Sequence, residues 1–140
     1  MRPRYRRKNN SSDLQCKRCI LSSVAWDVVF DDDVAKWIDT LDDDSYEQFY
    51  AAVEILEELG PQAGRPLVDT VKGSTHKNMK ELRPGSKGRS EIRALFAFDP
   101  TRKAIVLVAG DKAGHWVSWY KKNIPLADKK YDEHLGGLKR

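Results

Sequence analysis

Apolar and polar residues begin to alternate at Val24. Val24, Trp26, Val28 and Phe30 are separated by Ala25, Asp27 and Val29, which is the two-residue period of a β-strand. Asp31, Asp32 and Asp33 follow. A short acidic side chain caps the free N–H groups of a helix start, and negative charge there suits the helix dipole. Val34, Trp37, Ile38 and Leu41 then recur at i, i+3, i+4 and i+7, so a short amphipathic helix is predicted, closed by residues 42–44.

A second helix is predicted from Ser45, with Gln48 three residues on completing a capping box. Tyr46, Phe49, Tyr50, Val53, Leu56 and Leu59 form its apolar stripe, Glu47, Glu54, Glu57 and Glu58 lie mostly off it, and Gly60-Pro61 stops it. Residues 61–78 hold Gly64, Pro66, Gly73 and Ser74 and read as a loop. Residues 79–83, 91–98 and 104–109 read as three strands of an antiparallel meander, separated by Pro84-Gly85 and by an Asp99-Pro100 turn. The strand at 24–30 is free to join that sheet. The end is helical again: Trp116, Trp119 and Tyr120 share a face, Pro125 breaks or restarts the helix, and Ile124, Ala127, Tyr131 and either His134 or Leu135 share a face beyond it, up to Gly136-Gly137. The expected architecture is an α+β domain in the order β-α-α-β-β-β-α, with two N-terminal helices packed on an antiparallel sheet.

Composition bounds this picture. A chain of 140 residues has room for one domain and one core. No apolar run reaches the length of a membrane span, and no clean apolar core with a small-residue cleavage site follows the basic start, so a cytoplasmic protein is expected. Residues 1–23 are polar and basic with no periodicity. They read either as a disordered tail or as upstream sequence ahead of a true start at Val24, with the domain covering residues 24–140. Cys16 and Cys19 form a lone CxxC. A zinc site needs four ligands, so the pair reads as incidental thiols or as half of a site shared between molecules.

Charge is partitioned more sharply than the net +4 implies. Residues 1–23 carry +6, residues 24–63 carry −11, and residues 64–140 carry +9. An acidic helical layer and a basic layer are therefore expected in one domain, and a basic surface attracts phosphates whatever their sequence. Ordinary solvated surface on both halves is the plainer account of the same charges. The chemistry-bearing motifs of serine hydrolases, zincins, P-loops and dinucleotide-binding folds are missing from the sequence. His76, His115 and His134 are dispersed, so neither a metal nor another cofactor is expected. What remains is a set of cations on short strands: Lys80 and Arg83 around Glu81-Leu82, Arg93 in the next strand, and Lys112 after the last. On one rim of the sheet these four would hold a phosphodiester. Each is equally open to pairing with a nearby carboxylate such as Glu81 or Glu91.

The segments LVDTVKGSTHKNMKELRPG, SEIRALFAFDPTRKAIVLVAGDKAGHW and WYKKNIPLADKKYDEHL occur together and in order. In combination they resemble the HigB-type, phage-derived branch of the RelE/ParE toxin superfamily over about residues 24–136. The resemblance implies a RelE-like domain with helices on a curved antiparallel sheet. It implies a toxin of a type II toxin–antitoxin system, most often a ribosome-dependent, metal-independent endoribonuclease that cuts messenger RNA. It implies a cognate antitoxin, of helix-turn-helix type, and contact with operator DNA only through the toxin–antitoxin complex. By the same resemblance Arg83 and Arg93 would stabilise the phosphate, Lys77, Lys80 and Lys112 would hold the RNA, and Tyr131 or His134 would carry protons. Tyr131 also reads as a core aromatic, and His134 as a partly exposed helix-end residue. A ParE-like gyrase inhibitor without nuclease chemistry, or a non-catalytic nucleic-acid-binding module, would share the fold.

Overall fold

The computed structural model describes residues 26–85 and 90–138. The tail, the Cys16/Cys19 pair and the proposed start at Val24 lie outside these residues. Strand β1 (Asp27–Phe30) leads into helix α1 (Asp32–Ile38) and helix α2 (Asp43–Leu59). After a short 3-10 turn come β2 (Val68–Thr70), β3 (Met79–Leu82), β4 (Ile92–Phe98) and β5 (Lys103–Asp111), and helix α3 (Trp116–Leu138) ends the described chain. The strand order is β1-β5-β4-β3-β2. The meander β2 to β5 is antiparallel, whereas β1 lies parallel to β5, so the sheet is mixed rather than wholly antiparallel.

The acidic caps work locally, with a shift in the second helix. Asp31 accepts from the Asp33 N–H at 3.0 Å and starts α1. Asp42 accepts from the Ser45 N–H at 2.7 Å and starts α2 at Asp43. Residues 42–44 thus open α2 rather than close α1, and Ser45 sits inside it, because the earlier carboxylate captures the same free N–H groups. α2 stops at Gly60, whose φ is +56°. A Cβ there would lie 2.3 Å from Trp26 Cδ1, so only glycine admits both the turn and the indole.

Two cores lie on the two faces of the sheet. On one, Val34, Ile38, Phe49, Val53 and Leu56 from α1 and α2 pack on Val28, Leu82, Ala94, Phe96 and Val106. On the other, Trp119, Ala127 and Tyr131 from α3 pack on Met79, Leu95, Ala97, Ile105 and Leu107. Each fully buried Leu, Val or Phe side chain contributes roughly 1.5–3 kcal/mol by leaving water. Alternation along β3 and β4 therefore settles which side chains look toward α3, namely Met79, Glu81, Arg93 and Leu95. A bulge in the β4–β5 pairing between Leu95 and Phe96 shifts the phase of β5. Ala104 and Val106 serve the α2 face, yet Val108 serves the α3 face.

Two further sequence expectations change. The loop 61–78 contains β2, an edge strand of three residues held by β3, too short to show a period. Helix α3 runs unbroken through Pro125 and past Gly136-Gly137 to Leu138. Pro125 is exposed, so the carbonyl it leaves without a donor can be hydrated. Among the described residues, no helix is long and apolar enough to cross a membrane.

Candidate phosphate-binding site

The site forms where β3, β4 and β5 meet the first turns of α3. Glu81 points from the middle of β3 toward α3 and is 4% exposed. A carboxylate in that position needs donors, and it has two. Arg83 Nε donates to Oε1 at 3.0 Å, and the Tyr120 hydroxyl donates to Oε2. Arg83 is held a second time by Asp69 of β2, at 3.1 Å. Burial, followed by the hydrogen bond to Glu81, pushes the Tyr120 phenol above its ordinary range, so Tyr120 remains a protonated donor at neutral pH.

Arg93 and Lys112 complete the corner. The register Leu82↔Ala94 brings Arg83 and Arg93 to neighbouring strand positions. Arg93 stands opposite Gly110 of β5. The absence of a side chain at Gly110 lets Trp119 pack down beside Arg93, since a Cβ would lie 2.9 Å from the indole Nε1. The Arg93 side chain is 16% exposed. Its NH1 donates to the Ile92 carbonyl at 2.7 Å, its NH2 lies 3.9 Å from Glu91, and its buried Nε has no hydrogen-bond partner among the described residues. The Lys112 ammonium lies 5.2 Å from the Trp116 ring centre and 5.0 Å from that of Tyr120. Burial, and then repulsion from Arg93, lowers its pKa against the weaker pull of Glu81 and Glu91. Arg83 is thus well matched by carboxylates, while Arg93 and Lys112 are gathered with too little negative charge nearby. That is an arrangement an anion would complete.

The other sequence-predicted residues do not join this corner. Lys80 alternates with Glu81, so it sits on the opposite face of the sheet and donates to Thr70 Oγ1 at 3.1 Å. Lys77 is exposed in the loop before β3. Tyr131 is 3% exposed, donates to the Phe98 carbonyl at 3.0 Å and accepts from Asn78 at 3.1 Å. His134 Nε2 lies 2.8 Å from Asp99 Oδ2. Phe98 ends β4 and Asp99 follows it, whereas Arg93 is the strand's second residue, a separation of roughly 16 Å or more at the rise of an extended strand. Tyr131 and His134 therefore lie apart from Arg83 and Arg93 in this structure. The fold spends those two side chains on fastening the last turns of α3 to the β4–β5 turn. Glu81 and Tyr120 are not among the site residues that the sequence points to. The signal for Glu81 was present, as a lone carboxylate on the inward phase of β3. The signal for Tyr120 was not, because nothing local says that α3 crosses β3 there.

Comparison with known proteins bears on this geometry. Residues 36–132 match the family model described as Phage derived protein Gp49-like (DUF891). The chain is 61% identical over 102 residues to a Mycobacterium tuberculosis protein named as a toxin, HigB2, covering 73% of this chain and 51% of HigB2. It therefore spans about half the length of that relative. It is 49% identical over 109 residues to a second protein of that organism named as a toxin, HigB3, covering 74% of this chain and 93% of HigB3. In three dimensions it is similar to a free-state, doubly arginine-substituted form of the E. coli toxin RelE, with a TM-score of 0.51 and 16% identity over 67% of this chain and 90% of that one. The sequence matches show the family and the structural likeness shows the fold: this chain belongs to the Gp49-like, HigB-type family and has a RelE-like fold.

Proposed function

We propose that this protein is the toxin of a toxin–antitoxin pair and that it cleaves messenger RNA on the ribosome, using the Arg93–Lys112 corner to bind the scissile phosphate. The observation that supports this most is the pairing deficit there: a buried guanidinium nitrogen without an acceptor among the described residues, next to a partly buried ammonium repelled by it. The names of HigB2, HigB3 and RelE agree with a toxin.

The chemistry needs no metal. The 2′-hydroxyl gives its proton to solvent water as it attacks the adjacent phosphorus, the bond to the 5′-oxygen breaks, and the products are a 2′,3′-cyclic phosphate and a 5′-hydroxyl. Negative charge grows on the phosphoryl oxygens, where fixed cations stabilise it most. Arg93 and Lys112 fill that role, with Arg83 oriented beside them by Glu81 and Asp69. Lys112 is also the better acid of the set, since a desolvated ammonium releases its proton more readily, and it protonates the departing 5′-oxygen. Tyr120 and Glu81 position Arg83 and shield the corner from water. A cognate antitoxin of helix-turn-helix type neutralises the protein by covering this surface, and operator DNA is reached through that complex.

The test is inducible expression of residues 24–140 in bacteria with mapping of message 5′ ends during translation. Growth arrest with new ends inside open reading frames, absent in Arg93→Gln, is the expected outcome. Arrest with intact messages and a DNA-damage response would overturn it in favour of gyrase inhibition.

A further inference from the structure

Trp116 is the first residue of α3 and is 54% exposed. The remaining tryptophans are spent on packing: Trp119 is 7% exposed, Trp26 lies edge-on to Phe98 and Trp37 edge-on to Phe49. An indole left open to water at the rim of a cationic corner calls for an occupant. Trp116 and Tyr120 are four residues apart and so share a helix face, and the Lys112 ammonium is held near both rings. Continuing outward from Arg93, the order is a guanidinium, an ammonium and an exposed aromatic ring. That interleaving of cations with an open ring is what single-stranded nucleic acid uses, phosphate on the cations and base on the ring.

We infer that Trp116 is a stacking platform for the nucleobase next to the phosphate held by Arg93 and Lys112. The inference rests on the RNA-cleaving reading and adds to it a second point of grip. Stacking requires only a π face, so the platform is tolerant of base identity. It orients the strand so that the sugar hydroxyl and the phosphorus meet at the cations. The exposed neighbour Val117, 68% accessible, takes no part in it. A protein partner docking on this end of α3 would bury both residues.

The experiment titrates the full chain with a short single-stranded oligoribonucleotide and with inorganic polyphosphate, reading tryptophan fluorescence and affinity. The wild type, Trp116→Ala, Trp116→Phe, Val117→Ser and Arg93→Gln forms are compared. RNA quenches the wild type. Trp116→Ala loses about 10- to 100-fold in RNA affinity, Trp116→Phe retains most of the affinity but not the quench, and Val117→Ser behaves as wild type. Polyphosphate binding falls in Arg93→Gln and is unchanged in Trp116→Ala. Wild-type RNA affinity in Trp116→Ala, with loss in Arg93→Gln, overturns the platform and leaves the phosphate site standing. Loss in Trp116→Ala with none in Arg93→Gln overturns the proposed phosphate site and leaves the platform. Equal losses in Trp116→Ala and Val117→Ser point to a protein-docking surface and overturn the platform.

Discussion

At the scale of single residues, the site is governed by how each charge is matched. Glu81 is buried and receives bonds from Arg83 and Tyr120, so it is both a structural and an organising group. Glu81→Gln keeps the shape but replaces an anion beside Arg83 with a neutral amide. The fold is expected to lose about 1–3 kcal/mol, read by urea unfolding, and cleavage is expected to fall with it as Arg83 turns toward Asp69. Arg93 and Lys112 have the opposite status. Neither is fully matched in the free protein, so removing either relieves local repulsion. Arg93→Gln and Lys112→Met should therefore fold at least as well as the wild type while message cleavage drops about 10²–10³-fold, the usual effect of deleting one stabilising donor. Loss of folding together with activity in both variants would show that these cations are structural.

At the scale of elements, close approach decides the site. The first turn of α3 packs down on β5 because Gly110 offers no Cβ to Trp119, and the β4–β5 bulge places that glycine under the helix rather than on the far face. Gly110→Ala is expected to destabilise by about 1–3 kcal/mol through overpacking and to lower activity by lifting α3 away from Arg93. A thermal melt beside a cleavage assay checks both. Pro125 gives the converse case. It sits exposed inside a continuous helix, where proline costs up to about 3 kcal/mol relative to alanine. Pro125→Ala should raise the melting temperature and leave cleavage unchanged. A fall in stability would mean that the proline is needed to shape α3.

At the scale of the whole molecule, α3 is fixed at its two ends by different chemistry. Its start closes the cationic corner. Its later turns are tied by His134 to Asp99, by Asp128 to Ser74 and the Thr75 N–H, and by Lys130 to Asp31 and Asp33 around the sheet edge. Burial alone would raise the Asp99 pKa, but hydrogen bonds from His134, the Lys103 N–H and Thr101 outweigh it and hold it below the ordinary carboxylate value. A depressed carboxylate contributes stability above its unfolded pKa of about 4, and that contribution is lost as pH falls through the folded value. Asp99→Asn should thus be less stable at neutral pH and show a shallower loss in acid, by urea unfolding from pH 7 to 3. His134→Gln and Tyr131→Phe should lower stability yet leave message cleavage at the wild-type level, since they lie at the end of β4 away from Arg93. Loss of cleavage without loss of stability would return them to the active site. Much of this molecule was legible along the chain. The alternation at β1, the stripe of α2, the meander and the acid–base partition are local consequences of hydrophobic periodicity and turn chemistry. So was the approach of Arg83 to Arg93, because antiparallel neighbours across a hairpin must share a rim. The three-residue strand β2 and the passage of α3 through Pro125 were not, since edge pairing and solvent exposure are not encoded in any short window. The grouping of Glu81, Tyr120, Lys112 and Trp116, and the separation of Tyr131 and His134 from them, depended on the path of one helix across the sheet. Side-chain types and strand phase come from sequence, but which ends of two elements meet is settled only by packing.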